Sequence, residues 1–413
     1  MPSSAQAPSV STGKWLSIIG IGEDGVAGLG DAAQRTISEA EVVFGGERHL
    51  ALARELIRGE ARPWQIPFDA EMHGVRALAG RKVCVLASGD PFLFGVGATL
   101  SRVVAPEEML VIPAPSAFSL AAARLGWALQ AVETVSLHGR SVDLLRPLLH
   151  PGRRVLALTS DASAPAIIAG MLSASGFGGS RITLLEALGG PNERITVSTA
   201  DRFNGRDSNP LNLLAIEIVA SADARILALT PGLDDNLFEH DGQITKREIR
   251  ALTLSSLAPR RGELLWDIGA GSGSISIEWM LADASMRAIA IEARPDRAQR
   301  IRSNAVRFGV PGLTVIEGDA PTSLENLPIP DAIFIGGGGS DNGVPDGAIQ
   351  ALRPGGRLVA NAVTLEMEAV LLDLHARNGG SLTRIAICRA EPVGSMQGWR
   401  PAMPVTQWTW VKP

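Results

Sequence analysis

The second half of the chain alternates between short apolar runs and longer amphipathic stretches. The apolar runs predict strands at 264–268, 288–292, 313–316, 331–335 and 357–360. The stretches around them predict helices at 245–257, 274–282, 295–308 and 345–352. Such an alternation is typical of a doubly wound α/β fold with a mostly parallel sheet. Two later apolar runs, at 381–389 and 405–411, predict antiparallel strands that close this sheet.

The first half has a similar rhythm. Its apolar runs predict strands at 15–20, 41–44, 82–88, 109–113, 154–158 and 213–218, with helices at 32–41 and 116–124. We therefore predict a second α/β region whose sheet is mostly parallel. The sequence Pro113-Ala114-Pro115 interrupts this region and indicates a hinge between two lobes.

A chain of 413 residues is too long for one ordinary hydrophobic core. A turn-rich, polar stretch separates the two halves, so we expect a domain at 14–220, a linker at 221–240 and a second domain at 241–413. Thr245 and Glu248 have the spacing of a capping box at the first helix of the second domain. The first twelve residues predict a loose tail and lack the apolar core of a signal peptide.

Composition narrows the class of protein. The chain is 46% hydrophobic and 20% charged, and its net charge of −5 argues against a nucleic-acid coat. No apolar run is long enough to span a bilayer, so we expect a cytoplasmic protein that does not bind a membrane. Cys84 and Cys388 lie in apolar, strand-like runs and predict buried free thiols, with neither a disulfide nor a metal site. Assembly into a homo-oligomer is a further expectation.

The strongest chemical signal begins at the strand 264–268. This strand runs into the glycine-rich turn 269–273, and the next predicted strand ends in Glu292. A strand, a G-x-G turn and an acid at the tip of the next strand are how an α/β sheet holds a nucleoside, because the acid accepts hydrogen bonds from the ribose. Position 274 is serine where a dinucleotide-binding turn has its third glycine. The pattern therefore favours S-adenosylmethionine (SAM) over NAD.

Two further strand ends in this half are candidates for ligand contact. Asp319 and Ala320 follow a predicted strand, where a carboxylate could meet an adenine amino group and a small neighbour leaves room for the ring. The loop 336–339 is four glycines, where methylases of amino groups often have Asn/Asp-Pro-Pro-Tyr. Glycine leaves space and free amides, which favours a bulky or anionic substrate and methylation of carbon. The alternatives are a plain strand-end turn and a loop without contacts.

Arginines crowd the predicted helix 295–308 and its start, at Arg294, Arg297, Arg300, Arg302 and Arg307. They span several faces of the helix, so we predict that most are solvated and that one or two could meet substrate carboxylates. In the first half, Ser88-Gly89-Asp90-Pro91 follows a predicted strand. Ordinary turn chemistry explains this sequence as well as ligand binding does. From its residues alone, the first half is a second α/β domain, and ligand binding is one of two open interpretations.

The motifs of the first half resemble those of the tetrapyrrole methylases. They are 20–25 (GIGEDG), 88–91 (SGDP), 115–119 (PSAFS), 136–140 (SLHGR) and 187–195 (ALGGPNERI). The opening motif has Glu23-Asp24-Gly25 where the commoner form is Gly-Pro-Gly. The stretch 242–250, with the motifs around Asp267, Glu292 and Asp319, resembles the decarboxylating methylases of corrin synthesis. The resemblance covers about 14–413 and includes the order in which the two halves are fused.

The resemblance implies an α/β protein in which a two-lobed tetrapyrrole methylase domain precedes a Rossmann-like SAM-dependent methyltransferase domain. It implies a SAM site in each domain. The residues implied for the first site are Gly89, Asp90, Leu93, Ser116, Ala117 and Leu137. Those implied for the second site are Thr245, Asp267, Gly269, Gly271, Gly273, Glu292, Asp319 and Ala320.

The activity implied is that of a bifunctional enzyme of cobalamin biosynthesis acting on an anionic, reduced precorrin. The first domain would methylate carbon 5, and the second would methylate carbon 15 and remove the carboxyl group of the ring C acetate. Neither a catalytic acid or base nor a metal ligand follows from the sequence.

Two other functions remain open at this point. The chain could be an RNA or protein methyltransferase with an N-terminal recognition domain, but the Pro-Pro-Tyr motif is missing, the net charge is acidic and tyrosine is absent from the sequence. It could also be a SAM-binding sensor in which one domain has lost activity. The glycine motifs present in both halves weaken that interpretation.

Overall fold

The structure is a computed structural model that describes residues 13–205 and 207–413. The predicted N-terminal tail, residues 1–12, lies outside the described residues. Contacts divide the chain into two compact units. Unit 1 runs as far as Val142 and resumes over His150–Arg225, and unit 2 comprises Asp143–Leu149 and Ile226–Pro413.

The first lobe of unit 1 is a five-stranded parallel sheet with the order β3-β2-β4-β1-β5. Its strands are β1 (Leu16–Ile21), β2 (Val42–Gly45), β3 (Glu60–Pro63), β4 (Val83–Ser88) and β5 (Met109–Ile112). Its helices are α1 (Asp31–Glu39), α2 (Glu47–Leu52), α3 (His73–Arg76) and α4 (Gly97–Leu100). The central strands β1 and β4 are almost wholly buried, as their continuous apolar sequences require in a parallel sheet covered on both faces.

The second lobe of unit 1 is a mixed sheet with the order β6-β7-β10-β8-β9. Its strands are β6 (Glu133–Ser136), β7 (Arg154–Leu158), β8 (Arg181–Glu186), β9 (Arg194–Thr199) and β10 (Asn212–Glu217), and its helices are α5 (Ala117–Leu125) and α6 (Ala164–Ala174). The pair β6–β7 is parallel and the other three pairs are antiparallel. The expectation of a mostly parallel sheet is therefore right for the first lobe and wrong for the second. A seven-residue turn between β8 and β9 is too short for a parallel crossover, so these two strands form a hairpin.

Unit 2 contains a seven-stranded sheet with the order β13-β12-β11-β14-β15-β19-β16. Its strands are β11 (Leu264–Ile268), β12 (Arg287–Glu292), β13 (Thr314–Glu317), β14 (Ala332–Ile335), β15 (Arg357–Ala362), β16 (Ser381–Ile385) and β19 (Val405–Val411). Its helices are α7 (Arg247–Leu257), α8 (Ser274–Leu281), α9 (Pro295–Arg307), α10 (Val344–Ala351) and α11 (Leu365–Asn378). Strands β11 to β15 are parallel, and β19 runs antiparallel to both of its neighbours. The doubly wound prediction with an antiparallel close is confirmed.

Between β16 and β19 the chain forms a separate hairpin, β17 (Cys388–Val393) and β18 (Met396–Pro401). The predicted strand 381–389 is therefore divided between β16 and the start of β17. Cys388 is exposed on this hairpin, whereas Cys84 is buried in β4. The prediction of two buried thiols thus holds for Cys84, where burial raises the pKa of the thiol to about 12, and is wrong for Cys388.

The first helix of unit 2 begins later than the capping-box spacing predicts. Helix α7 starts at Arg247, its N-cap is Lys246, and no side chain caps it. The Glu248 carboxylate forms an ion pair with Arg389 of the hairpin. The predicted capping box of Thr245 and Glu248 is therefore wrong, because the acid is engaged by a residue far along the chain.

The segment predicted as a linker contributes to the core of unit 2. Leu227, Leu233 and Phe238 are buried, and they belong to the hydrophobic cluster that covers one face of the sheet. Residues 227–238 therefore fold with unit 2 and are not a solvated tether. Within the described part of the chain, no helix has both the length and the apolar character needed to cross a bilayer.

Candidate functional site

In unit 2 the carboxyl ends of β11, β12 and β14 meet at one edge of the sheet. The chain leaves β11 toward β12 on one side and later returns to form β14 on the other, so β11 lies at the switch point of the doubly wound sheet. Ligands of open α/β sheets bind in the crevice at such a point. The glycine-rich turn 269–273 follows β11 and occupies this position.

The backbone of the glycine-rich turn 269–273 contacts the backbone of the four-glycine loop 336–339. A Cβ atom on Gly269 would lie 2.6 Å from the carbonyl carbon of Gly337, a spacing that real Cβ atoms do not reach. The amide of Gly336 donates to the carbonyl of Ile268 at 3.0 Å and ties the loop to the end of β11. The four-glycine loop is thus part of the site. Among the described residues, no protein acceptor bonds the amides of Gly338 and Gly339.

Glu292 ends β12 and is buried beside the turn, with 5% of its surface exposed. Its Oε2 accepts from the amide of Gly271 at 2.8 Å, and its Oε1 accepts from the amide of Arg294 at 3.1 Å. A carboxylate has about four acceptor sites, so each oxygen keeps a lone pair. The structure therefore places a buried, oriented acceptor at the mouth of the glycine turn, where the sequence predicts a ribose.

Asp267 lies in β11, two residues before Gly269, and its buried Oδ1 has no hydrogen-bond partner among the described residues. Its side chain is fully buried in β11, and Oδ2 accepts from the amide and hydroxyl of Ser276 on α8, at 3.1 and 2.7 Å. Burial, and secondarily the negative charge of Glu292, raise the pKa of Asp267 to about 6 against the hydrogen bonds from Ser276. This carboxyl group holds the first turn of α8 under the glycine turn.

The other predicted residues of this site approach it from two sides. The amide of Gly318 donates to the Glu292 carbonyl at 3.0 Å, which places the exposed Asp319 and the half-buried Ala320 beside the end of β12. On the other side, a Cβ atom on Gly271 would lie 3.2 Å from the carbonyl oxygen of Gln243. The segment that leads to Thr245 therefore passes directly over the glycine turn.

A buried arginine that sequence reasoning missed anchors this segment. Arg250 is fully buried on α7, and its guanidinium donates to Glu278 at 2.6 Å and to Asp235 at 2.9 Å. It also donates to the carbonyl of Thr245 at 2.5 Å and to the carbonyl of Leu233. One side chain thus satisfies four acceptors and fixes the backbone at Thr245. The sequence signal was a charged residue at an inward-facing position of an amphipathic helix.

Glu278 completes this network from α8. Its two oxygens accept from the amides of Gly232 and Leu233, at 2.6 and 3.0 Å, and its side chain is buried. Phe238 covers the guanidinium of Arg250, with 4.8 Å from Cζ to the ring centroid. Because buried ions require opposite charges and full hydrogen bonding, this pair gives residues 232–245 one defined position.

The arginines of α9 hold the same segment from outside. Arg297 and Arg300 both pair with Asp241, at 2.9 and 3.2 Å, and hold the pKa of that carboxyl group well below its usual range. Arg307 pairs with Glu239. These three arginines are therefore engaged in ion pairs within unit 2, and a contact with substrate carboxylates stays a prediction.

In unit 1 five of the six predicted residues, all but Leu137, follow β4 or β5 at the carboxyl edge of the parallel sheet. A Cβ atom on Gly89 would lie 2.9 Å from Cα of Ser116, so the turn after β4 touches the start of α5. The carbonyl of Gly89 accepts from the amide of Ala114 at 3.1 Å. Asp90 caps its own turn by accepting from the amide of Phe92 at 2.8 Å, and Leu93 is exposed beside it.

The remaining residues of this site lie at the start of α5 and the end of β6. The hydroxyl of Ser116 accepts from the amide of Ser119 at 3.1 Å and caps α5, whose first residue is Ala117. Leu137 follows β6, its side chain is buried, and its amide donates to Leu158 at 2.8 Å. The structure therefore brings Gly89 and Ser116 into contact, while Leu137 belongs to the edge of the second sheet.

Comparisons with known proteins assign each half of the chain. A family model described as tetrapyrrole (corrin/porphyrin) methylases matches residues 16–204, and one described as a precorrin methyltransferase domain matches 236–412. A protein of Sinorhizobium sp. named precorrin-6Y C(5,15)-methyltransferase [decarboxylating] is 65% identical over 398 residues, which is 96% of each chain. The chain belongs to this family. The resemblance seen in the sequence motifs is confirmed.

More distant members of the decarboxylating precorrin-6Y C(5,15)-methyltransferase family match over the same length. A protein of that name from Mycobacterium tuberculosis strain H37Rv is 39% identical over 400 residues, covering 96% of this chain and all of the other. The crystal structure of the C-terminal domain of a precorrin-6Y C5,15-methyltransferase from Rhodobacter capsulatus is 52% identical and covers 45% of this chain and all of that one, with a TM-score of 0.43. Membership of the family makes the chain a SAM-dependent methyltransferase.

Proposed function

We propose that this chain methylates a reduced precorrin at carbons 5 and 15 and removes the carboxyl group of its ring C acetate. The observation that carries the proposal is the 65% identity, over 96% of the chain, to a protein whose name states both methylations and the decarboxylation. An alignment of that length includes both units, so each half of the relative has a counterpart in this chain.

We assign carbon 5 to the domain at 14–220 and carbon 15, with the decarboxylation, to the domain at 241–413. The tetrapyrrole methylase model matches within the first range, and the precorrin methyltransferase model covers nearly all of the second. Residues 221–240 connect the two domains in sequence, although much of this stretch packs with the second domain.

Each domain holds its own SAM in this proposal. In the second domain Glu292 accepts from the ribose hydroxyls, Asp319 from the adenine amino group, and the turn 269–273 and Thr245 pass close to the methionine part. The buried Glu292 carboxylate with its unused lone pairs supports this placement. In the first domain the contact between Gly89 and Ser116 forms the floor of the site, beside Asp90, Leu93, Ala117 and Leu137.

The methyl transfers depend more on the alignment of the reacting atoms than on acid–base groups. Methyl transfer is a direct displacement at a sulfonium, so holding the carbon in line with the methyl group supplies much of the rate. The electron-rich meso carbon is the nucleophile. Methylation at carbon 15 leaves a conjugated cation, which accepts the electron pair released when the ring C acetate loses carbon dioxide. The unpaired amide of the exposed Gly338 is a donor suited to a carboxylate of this substrate.

The deciding experiment is the mass of the product after the full chain is incubated with SAM and the reduced precorrin. We expect a gain of two methyl groups and the loss of one carbon dioxide. One methyl group with the same loss would contradict the bifunctional assignment and leave only the second domain active on this substrate. An unchanged substrate would favour the interpretation of the chain as a SAM sensor. Methyl transfer to added RNA would favour the interpretation as an RNA methyltransferase.

A further inference from the structure

The first lobe of unit 1 carries a polar cluster that joins two motif residues to two residues outside the motifs. Four side chains form it: Glu23, Arg48, His49 and Ser88. Ser88 is the last residue of β4, Arg48 and His49 lie in α2 directly after β2, and Glu23 follows β1. Because β2, β4 and β1 are adjacent parallel strands, their carboxyl ends bring these residues to one edge of the sheet.

The hydrogen bonds within the cluster determine the state of the histidine. Arg48 forms an ion pair with Glu23, and its Nη2 donates to the Ser88 hydroxyl and to Nε2 of His49, both at 2.9 Å. The Ser88 hydroxyl and Nε2 of His49 are 2.7 Å apart. A guanidinium can only donate, so this network assigns Nε2 as an acceptor and places the ring proton on Nδ1. His49 is therefore neutral, and its one Nε2 lone pair faces both Nη2 of Arg48 and the Ser88 hydroxyl.

The surroundings keep the ring neutral over a wide pH range. Burial, and then the positive charge of Arg48, lower the pKa of His49 to about 4. The charged groups that face the ring are Arg48 from its own helix and, through that guanidinium, Glu23 from the end of β1. The buried Nδ1 has no partner among the residues that the structure describes. His49 is thus ready to accept a proton at neutral pH, although as a weak base.

The open face of the cluster lies beside the proposed SAM loop. Ser88 is exposed, and it directly precedes Gly89 and Asp90. The hydroxyl is the point at which a substrate above the loop would meet the cluster.

Methylation at carbon 5 requires a proton acceptor, since the methyl group replaces a hydrogen. The π electrons of the macrocycle form the new carbon–carbon bond while the carbon–sulfur bond breaks and its electron pair stays on sulfur. Carbon 5 then carries both the methyl group and its hydrogen in a cationic system. Breaking the carbon–hydrogen bond returns its electron pair to the conjugated system, and the proton must leave. A proton on such a cation is acidic enough for a weak base.

We propose that Ser88 and His49 are the proton-accepting pair of the first domain. Ser88 Oγ takes the proton from carbon 5 while its own proton passes to Nε2 of His49, and the imidazolium later releases it to water. Arg48 and Glu23 are positioning residues that hold the ring toward Ser88. This inference rests on the proposed function, because it concerns the carbon 5 reaction.

The test compares His49→Ala with His73→Ala in the full chain. His73 is an exposed histidine of the same lobe that bonds to Asp69, so its loss controls for general effects of removing a histidine. We expect His49→Ala to slow carbon 5 methylation by about 10²- to 10⁴-fold. Carbon 15 methylation and decarboxylation should keep their rates, so the main product gains one methyl group and loses carbon dioxide. KM for SAM should not change.

Chemical rescue separates proton transfer from support of the fold. Added imidazole should restore carbon 5 methylation in His49→Ala, whereas pyrrole, which has the same shape without a basic nitrogen, should not. Equal rescue by both, or wild-type carbon 5 methylation without rescue, would overturn the proposal. A wild-type chain that never gains two methyl groups would instead refute the proposed function, so the two failures are distinguishable.

A second pair of variants covers the case in which His49→Ala does not fold. Ser88→Ala removes only the exposed hydroxyl, and Ser88→Thr restores it. We expect carbon 5 methylation to fall in the first and to persist in the second, with carbon 15 chemistry unchanged in both. Equal rates in the two variants would remove Ser88 from the proton path.

Discussion

The two units bring glycine backbones together at the carboxyl edge of a parallel sheet, but they surround that contact differently. In unit 2 Gly269 meets Gly337, and the buried carboxylate of Glu292 faces the amides of the turn. In unit 1 Gly89 meets the start of α5, and Asp90 uses its carboxylate on its own turn. Unit 2 thus presents an acceptor built into one sheet, while the site proposed for unit 1 draws Leu137 from the second sheet.

The units also differ in where they keep their charged networks. Unit 2 buries Arg250 and Glu278 and uses them to fix the segment before α7. Unit 1 keeps the cluster around Arg48 and Ser88 at the sheet edge, where the hydroxyl is open. A buried network defines a backbone position, whereas an open one is available to a ligand. The following variants test whether this contrast holds.

The largest effect is expected from Gly271→Val, which should abolish SAM binding in unit 2 alone. Gly271 has φ +60°, and a side chain there would meet the carbonyl of Gln243. Calorimetric titration should fall from two SAM per chain to one, with carbon 15 chemistry lost. Gly312→Val is the control, since a side chain there meets nothing within 4 Å. Two SAM bound by Gly271→Val would contradict the two-site proposal.

Glu278→Ala should destabilise unit 2 without affecting unit 1. The change leaves Arg250 buried without its main partner, which costs about 3–5 kcal/mol. Hydrogen exchange followed by mass spectrometry should show faster exchange in peptides of β11 and α8 and unchanged exchange in β1 and β4. Arg400→Ala, which breaks an exposed ion pair with Glu391, should change neither.

A double variant sharpens the role of this buried pair. Arg250→Met with Glu278→Leu removes the unpaired buried ion, so part of the lost stability should return, although the amides of Gly232 and Leu233 lose their acceptor. The carbonyl of Thr245 would still lack its donor, and SAM affinity in unit 2 should remain weakened. Full recovery of affinity would show that the network stabilises the fold without positioning Thr245.

Glu292→Ala should weaken SAM binding in unit 2 by about 10- to 100-fold. The estimate corresponds to losing one charged hydrogen bond to the ribose, worth about 1.5–3 kcal/mol. Glu317→Ala is a matched control, because Glu317 ends the neighbouring strand in register with Glu292 and is exposed. Unchanged SAM affinity in Glu292→Ala would contradict the assignment of Glu292 to the ribose. It would also contradict the contrast drawn between the two units.

The smallest effect concerns pH. The pKa of Asp267 is raised to about 6 in the folded protein, above the ordinary value of 3.8, so folding favours its protonated form. The stability that this group contributes is complete below pH 3.8 and is lost as the pH rises through about 6. Asp267→Asn should therefore gain stability relative to the wild type between pH 4 and 7, as measured by hydrogen exchange in unit 2. A constant difference across this range would contradict the raised pKa.

Local patterns were sufficient for most of unit 2. The predicted strand 264–268 matches β11, and the glycine turn with Glu292 lies at the switch point of the sheet. Both signals come from neighbours in sequence, since apolar runs report burial and glycines report turns. Helix α11 and strands β8 and β9 were not predicted. Residues 194–198 of β9 alternate polar and apolar side chains, which is a strand signal that the prediction missed.

By itself, the sequence determined the fold class, the order of the two halves and the family, because apolar periodicity and short motifs are local properties of the chain. The tertiary structure decided the antiparallel pairing of the second lobe, the true start of α7 and the partners of the buried charges. Arg250 and Glu278 are 28 residues apart, and His49 and Ser88 are 39 apart. Such pairs exist only once strands and helices have packed, since no local pattern records which distant side chains a fold brings within hydrogen-bonding distance.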